Sequence, residues 1–252
     1  MLSTMPTDSL SVGRLEAHRV RIRQGEATMI ACEGREVIVY GLIGSVTVSY
    51  ENTDHLLDCR DGVFSGPPKA LLLRGVESIL LAARSRTADV LVATATTDLT
   101  FPQDAHFADV IEHEIGADNH KRRVQEVFGS NSHASILRCG ETLHQRGSWS
   151  CWPVHDFEKH PTPDEAKKFE EVFVYFTKPK DGWAIQTRKG IYNNGEEVDD
   201  ATIVRTGDVR IMPLGFHPVV AAPDTELLYV WFYISAVPKL YAQWAEDLGG
   251  YA

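Results

Sequence analysis

Three histidines and one glutamate, His155, His160, Glu171 and His217, are the side chains of this sequence best suited to chemistry. Each lies beside a run that reads as a β-strand. Neutral imidazoles and one carboxylate suit zinc, manganese, nickel or iron, so four such groups converging on one point would hold a divalent ion. An ion held this way keeps positive charge and open coordination positions. It can bind a carbonyl and a neighbouring hydroxyl, and stabilise the enediolate formed when a proton moves between adjacent carbons. A base must carry that proton. Glu170, Glu158, Tyr175 and a metal-bound water are open candidates, and Glu171 is a poorer one because a ligand has its lone pairs engaged.

The elements around these residues have to position them. Gly207, Pro213, Gly215 and His217 form the spacing Gly-x5-Pro-x-Gly-x-His, in which a glycine turn starts a strand and Pro213 and Gly215 end it in a turn that presents the histidine. Two residues after His155 stands Phe157, where a second histidine on the same strand face would be expected. His160 is five residues on and would point to the opposite face of an unbroken strand. Pro161 and Pro163 break the strand there, so a loop can carry His160 inward; the alternative is a solvated loop histidine. Pro163 to Lys168 has the early proline and acids of a helix start, as in a short lid. From Glu171 onward, alternation puts Glu171, Phe173 and Tyr175 on one strand face. Gln186 is a candidate pocket donor on the next strand. Tyr229, Trp231 and Tyr233 share a face of the last long strand, either lining the site or packing a partner subunit. Phe157, Phe173 and Phe216 are candidates for an aromatic wall that limits water.

These stretches resemble the KduI/IolB family of sugar isomerases in the cupin superfamily, and most of all its 5-deoxy-glucuronate isomerase branch of inositol catabolism. The family segment Gly-x-Trp-Ser-Ser-(Tyr/Trp)-Pro-Pro-His-Lys-His-Asp is matched by Gly147 to Asp156, with Cys151 for the second serine and Val154 for the second proline. Glu170-Glu171-Val172-Phe173-Val174-Tyr175, Gly207-Asp208-Val209, Pro213 to Pro218 and Leu227 to Tyr233 match later family segments. Phe64 to Pro68 and Asn119 to Val124 fall at family-like positions in the first half. The sequence departs from the pattern at the missing second histidine of His-x-His and at Trp231, where the family tends to have a small polar residue. The resemblance implies an all-β bicupin, two tandem jelly-roll barrels, with one metal site in the second. It implies an aldose–ketose isomerase acting on a uronate-like or modified sugar. It also turns Arg122 and Arg123, in the densest cationic stretch, from a solvated face into candidates for gripping the substrate carboxylate by paired N–H bonds. Tyr229 joins them as a candidate substrate contact. The same ligand shell also suits an iron(II) dioxygenase, which oxygen uptake would reveal, or a non-catalytic sugar-binding cupin, which metal content would separate.

The rest of the chain is read around that centre. At 252 residues it has ample length for two small domains, expected at 1–123 and 124–252. A formal net charge of −10 argues against a nucleic-acid groove, and any acidic sugar must be held by local cations. Four cysteines without Cys-x-x-Cys spacing read as reduced thiols of a cytoplasmic protein. No apolar run is long enough to span a membrane, and the first dozen residues lack signal-peptide character. Short strands are expected at Arg19 to Arg23, Ala27 to Ala31, Val37 to Tyr40, Ser45 to Tyr50, Leu71 to Leu73, Ser78 to Ala83 and Val90 to Thr94, with Gly41 and Gly44 between the third and fourth and turns at Asp61-Gly62, Gly66-Pro67-Pro68 and Gly75. This first barrel reads as a scaffold, and Asp109 to Ile115 as a short strand or helix. In the second barrel Ser135 to Cys139 reads as a strand ended by Gly140. Leu240, Trp244 and Leu248 read as the stripe of a short C-terminal helix. Sheet edges and the aromatic last strand favour a homo-oligomer.

Overall fold

The computed structural model describes residues 2–3, 8–129, 132–151, 155–156, 170–192, 194–234 and 243–244. Among them the regular structure is β-strand, apart from one 3-10 turn at Asp118–His120. No helix among the described residues is long and apolar enough to cross a membrane. The chain divides into two compact units, Met1–Val110 with Val127–Leu137, and Ile111–Glu126 with Arg138–Ala252. Two short segments near residue 126 are thus exchanged, whereas the sequence suggested a single boundary at 123/124.

The first unit holds two sheets. One runs in the order Leu2–Ser3, Ala27–Ala31, Ser78–Ala83, Ser45–Tyr50, Thr53–Asp58. The other runs Asp104–Phe107, Lys69–Arg74, Glu36–Ile43, Thr87–Ala95, Leu15–Arg23, Asp8–Val12. The expected strands are all present. Val37, Val39, Leu71, Leu73, Val46, Val48, Ile79 and Leu81 point alternately into one apolar core, as period-two patterning requires. Glu36–Ile43 is buried along nearly its whole length, which is why it reads as a continuous apolar run. Gly41 lies inside this strand, where a Cβ would meet the Cys59 Sγ at 2.2 Å. The fully buried carboxylate of Glu36 accepts backbone N–H bonds from Ser135, Ile136 and Leu137 at 2.6, 2.9 and 2.7 Å. Three donors on one charge fasten the segment Val127–Leu137 to this unit.

The second unit is built on a sheet in the order Ile111–Ile115, Arg122–Phe128, Leu137–His144, Glu226–Ile234, Glu170–Lys178, Val209–Met212. A second sheet runs Trp149–Ser150, Val219–Ala221, Ala184–Ile191, Glu197–Val204, with Leu214–Phe216 also paired to Ala184–Ile191. The segment at residues 109–115, open between helix and strand in the sequence, contributes the edge strand Ile111–Ile115. Glu170–Lys178 runs antiparallel to Glu226–Ile234 in a register that sets Glu171 opposite Tyr233, Phe173 opposite Trp231 and Tyr175 opposite Tyr229. These residues face the interior, where Phe173, Tyr175, Met212, Val219 and Tyr229 form the core.

Two expectations are corrected here. Gly140 does not end a strand but sits inside Leu137–His144, because a Cβ there would meet the Trp231 ring at 2.2 Å and the Gln125 carbonyl oxygen at 2.4 Å. Glycine is what lets the indole lie against the neighbouring strand. At the other end of the chain, Gln243–Trp244 is not helical: it pairs antiparallel with His155–Asp156. Strand pairing satisfies the backbone groups of that short edge, whereas a lone helix of about eleven residues has little stability of its own. Leu240, Leu248 and the lid expected at residues 163–168 lie outside the described residues.

Candidate active site

Glu171 opens an interior strand and is paired on both sides, with Met212 and with Tyr233. Glu171 is 4% exposed, and its Oε2 is buried with no hydrogen-bond partner among the described residues. Burial pushes its pKa up to about 8, against the partial relief of the nearby His217. The His217 Nε2 lies 3.7 Å from Oε2. That imidazole is itself 1% exposed.

The turn before His217 explains its orientation. Gly215 has φ +138°, and a Cβ on it would lie 2.3 Å from the Lys189 carbonyl oxygen. Only glycine lets Leu214–Phe216 close onto Ala184–Ile191 there. The His217 Nδ1 lies 3.2 Å from the Gly215 carbonyl, so a proton on Nδ1 is donated there and Nε2 carries the lone pair toward Glu171. Gln186, without exposed surface, donates from Nε2 to the His217 carbonyl at 2.6 Å. Its Oε1 accepts from the Tyr175 hydroxyl at 2.7 Å. The amide therefore holds the histidine's backbone and the tyrosine together. Phe173 completes the wall, with its ring centroid 5.6 Å from the imidazole, edge to face, and 4.5 Å from Tyr229, stacked.

Two buried polar atoms that lack each other's hydrogen bond and face across 3.7 Å suit a cation. An ion bound by both at about 2.1 Å needs its two ligand atoms roughly 3–3.5 Å apart. Among the described residues no group of three or more histidine, cysteine, aspartate or glutamate side chains is preassembled for a metal. The strand His155–Asp156 is described, but the His155 side chain is not, and His160, Phe157 and Glu158 lie outside the described residues.

The other anticipated residues are distributed as follows. Tyr175 shares the interior with Glu171. Glu170 is buried, and alternation turns it to the opposite strand face. Tyr229 is buried in the core, with its hydroxyl 2.7 Å from the Ser150 Oγ. Phe216 borders a groove with Arg188 and Asp200 rather than the aromatic wall. Arg122 and Arg123 line a cavity with His144, whose ring lies 5.7 Å from that of Tyr229; Glu171 and His217 are not among its lining residues. Sequence reasoning missed His144. It is 1% exposed, donates from Nδ1 to the Ser148 carbonyl at 3.3 Å, and has a buried Nε2 without a partner among the described residues. A lone histidine ending a strand, outside any motif, carries no signal of that environment.

The sequence profile of the KduI/IolB family matches residues 2–249. The chain belongs to the KduI/IolB family. Relatives of this member carry the name 5-deoxy-glucuronate isomerase. One from Geobacillus thermodenitrificans is 31% identical over 115 residues, 46% of this chain and 40% of the relative. One from Lacticaseibacillus casei is 28% identical over 203 residues, 79% of this chain and 72% of the relative. The matched region thus spans less than half the length of the Geobacillus relative. An IolB-like protein from Salmonella typhimurium LT2 superimposes with a TM-score of 0.85 at 17% identity, covering 98% of this chain and 95% of that one. An oxalate decarboxylase structure does so at 0.60 and 12% identity, covering 93% and 72%. These likenesses establish the KduI/IolB member as two cupin-like β units in tandem.

Proposed function

We propose that this KduI/IolB member is a metal-dependent intramolecular oxidoreductase that interconverts the aldose and ketose forms of a uronate-like sugar. The substrate is of the 5-deoxy-glucuronate type, as in its named relatives. The observation that carries the reading is the buried, unpartnered Glu171 Oε2 facing the His217 Nε2. Glu171 and His217 would supply two ligands, with His155 and His160 completing the set. Zinc, manganese, nickel or iron(II) suits these donors. Such an ion, when bound, supplies Lewis-acid stabilisation of the charge that builds on the sugar oxygen.

The protein's own residues do the rest. Gln186 holds the His217 backbone, and the Gly215 carbonyl selects its tautomer, so the ligand atom is aimed before any ion arrives. Phe173 and Tyr229 exclude water from one wall. Of the proton-transfer candidates among the described residues, Tyr175 shares the interior with Glu171 and keeps that role in this reading; Glu170 faces away.

The test is a chelated protein reloaded with each metal in turn and assayed for aldose–ketose exchange on 5-deoxy-glucuronate and other uronates. Isomerisation without oxygen uptake is expected. Glu171→Gln and His217→Gln are expected to lower metal occupancy and to cut the rate by about a hundredfold or more. Full occupancy in both variants, or no exchange with any metal, would overturn the proposal. Iron-dependent oxygen uptake would replace it with the oxygenase reading.

A further inference from the structure

The strand Ile111–Ile115 reads Ile-Glu-His-Glu-Ile, the same in both directions. It is the outermost strand of the six-stranded sheet of the second unit, and its inner side pairs with Arg122–Phe128. Among the described residues no strand pairs with its outer edge. All five residues are exposed, Ile111 at 43% and Ile115 at 39%. A bare edge that carries large aliphatic side chains is a template for another strand, and folded proteins normally cover it.

The palindrome says which strand fits. About a two-fold axis through His113, an antiparallel copy sets its Ile115 opposite Ile111, its Glu114 opposite Glu112, and its His113 opposite His113. Side chains alternate across a strand, so the isoleucines share one face with His113 and the glutamates take the other. Each aliphatic side chain therefore meets an aliphatic one, and none is set against a charge.

The charges also suit a copy. Glutamate opposite glutamate would repel if left alone. Here Glu114 pairs with Lys121 at 2.7 Å, and Glu112 lies 3.7 Å from the Arg123 Nε and accepts from the Gln125 Nε2 at 2.6 Å. Two carboxylates meet two cations in each copy, so that face of the joined edge is neutral. On the other face Glu126 stands opposite Ile111 and Arg122 opposite Ile115, one of each sign, and His113 lies 3.8 Å from Glu126. This local balance matters in a chain whose formal charge is −10 and whose copies otherwise repel one another.

We infer that Ile111–Ile115 is an interface between two copies of this chain, joined edge to edge about a two-fold axis at His113. The two six-stranded sheets then become continuous. Such an axis closes after two copies and leaves no bare edge at this strand.

Sedimentation equilibrium of the full chain from about 1 to 100 µM tests this, with a dimer expected at the upper end. Ile111→Lys/Ile115→Lys sets lysine opposite lysine across the axis. It is expected to weaken the dimer by about a hundredfold or more. Ile111→Lys/Ile115→Glu changes the same two exposed positions but sets lysine opposite glutamate. It is expected to bring association back to within about tenfold of the parent. Along one strand these positions are about 13 Å apart, so the rescue acts between copies. Both variants are checked for folding by circular dichroism. His113→Cys, treated with diamide, is expected to give a covalent dimer. Opposite Cα atoms of an antiparallel pair lie about 4.5–5.5 Å apart, within disulfide reach. The parent is expected to give none, since Cys32, Cys139 and Cys151 are buried and Cys59 is half-buried. The inference is overturned if the parent stays monomeric at about 100 µM, or if the two double variants associate alike. It is also overturned if His113→Cys does not cross-link, which would put any axis elsewhere.

Discussion

Glu171 is a carboxyl group in surroundings that favour its neutral form, since burial raises its pKa to about 8. An amide of the same shape is therefore tolerated there. Glu171→Gln is expected to keep or slightly raise the melting temperature of the chelated protein. It is expected to abolish the rise that a divalent salt produces in the parent. A ligand at a hundred times its Kd stabilises by about 2.7 kcal/mol, an increment that calorimetry with and without the salt resolves. His144 sets a different dependence. Its pKa falls from 6.5 to about 3 by burial, so between those pH values the unfolded chain binds a proton that the folded chain refuses. Stability must therefore fall as pH drops through that window, by on the order of a few kcal/mol in all. His144→Gln is expected to flatten this acid limb in urea midpoints measured from pH 7 downward. An unchanged slope would show that other groups control it.

At the scale of the element, the pairing of Gly140 with Trp231 shows how one strand constrains its neighbour. The indole occupies the space that any side chain at position 140 would need. It stacks on Tyr233 at 5.6 Å and stands opposite Phe173, so it is part of the interior wall near Glu171. Gly140→Ala is expected to destabilise the protein by about 1–3 kcal/mol, the usual cost of overpacking. Adding Trp231→Ala is expected to restore part of that loss, and a double-mutant cycle in denaturant measures the coupling. Additive effects would mean that the two positions do not share the space. The same crowding accounts for a misreading: a glycine between apolar residues looks like a turn until the ring that fills its missing side chain is known.

At the scale of the whole molecule, two units exchange short segments, and Glu36 is the clasp on one of them. It is buried with three backbone N–H groups pointed at its carboxylate. Glu36→Gln removes the charge and sets an amide donor against one of those donors. Hydrogen bonds to charged groups contribute about 1.5–3 kcal/mol each, so a total loss of about 2–4 kcal/mol is expected in the unfolding midpoint. Divalent-ion affinity is expected to be unchanged, since Glu171 and His217 belong to the other unit. A shift in both would reveal coupling between the units.

Local pattern alone decided most of the strands. Residues such as Ser45–Tyr50 and Ser78–Ala83 alternate or cluster their apolar side chains in a way that only a sheet can bury. It also identified Glu171, Tyr175 and His217 as neighbours, because strand alternation and a Pro-x-Gly turn act over a few residues. Three things depended on contacts between residues far apart in the chain. The place of Arg122–Phe128 beside Leu137–His144 put Arg122 and Arg123 in a cavity whose lining includes neither Glu171 nor His217. The indole of Trp231 gave Gly140 its purpose. Burial, which is a property of the packed whole, moved the pKa values of Glu171 and His144 in opposite directions by the same desolvation.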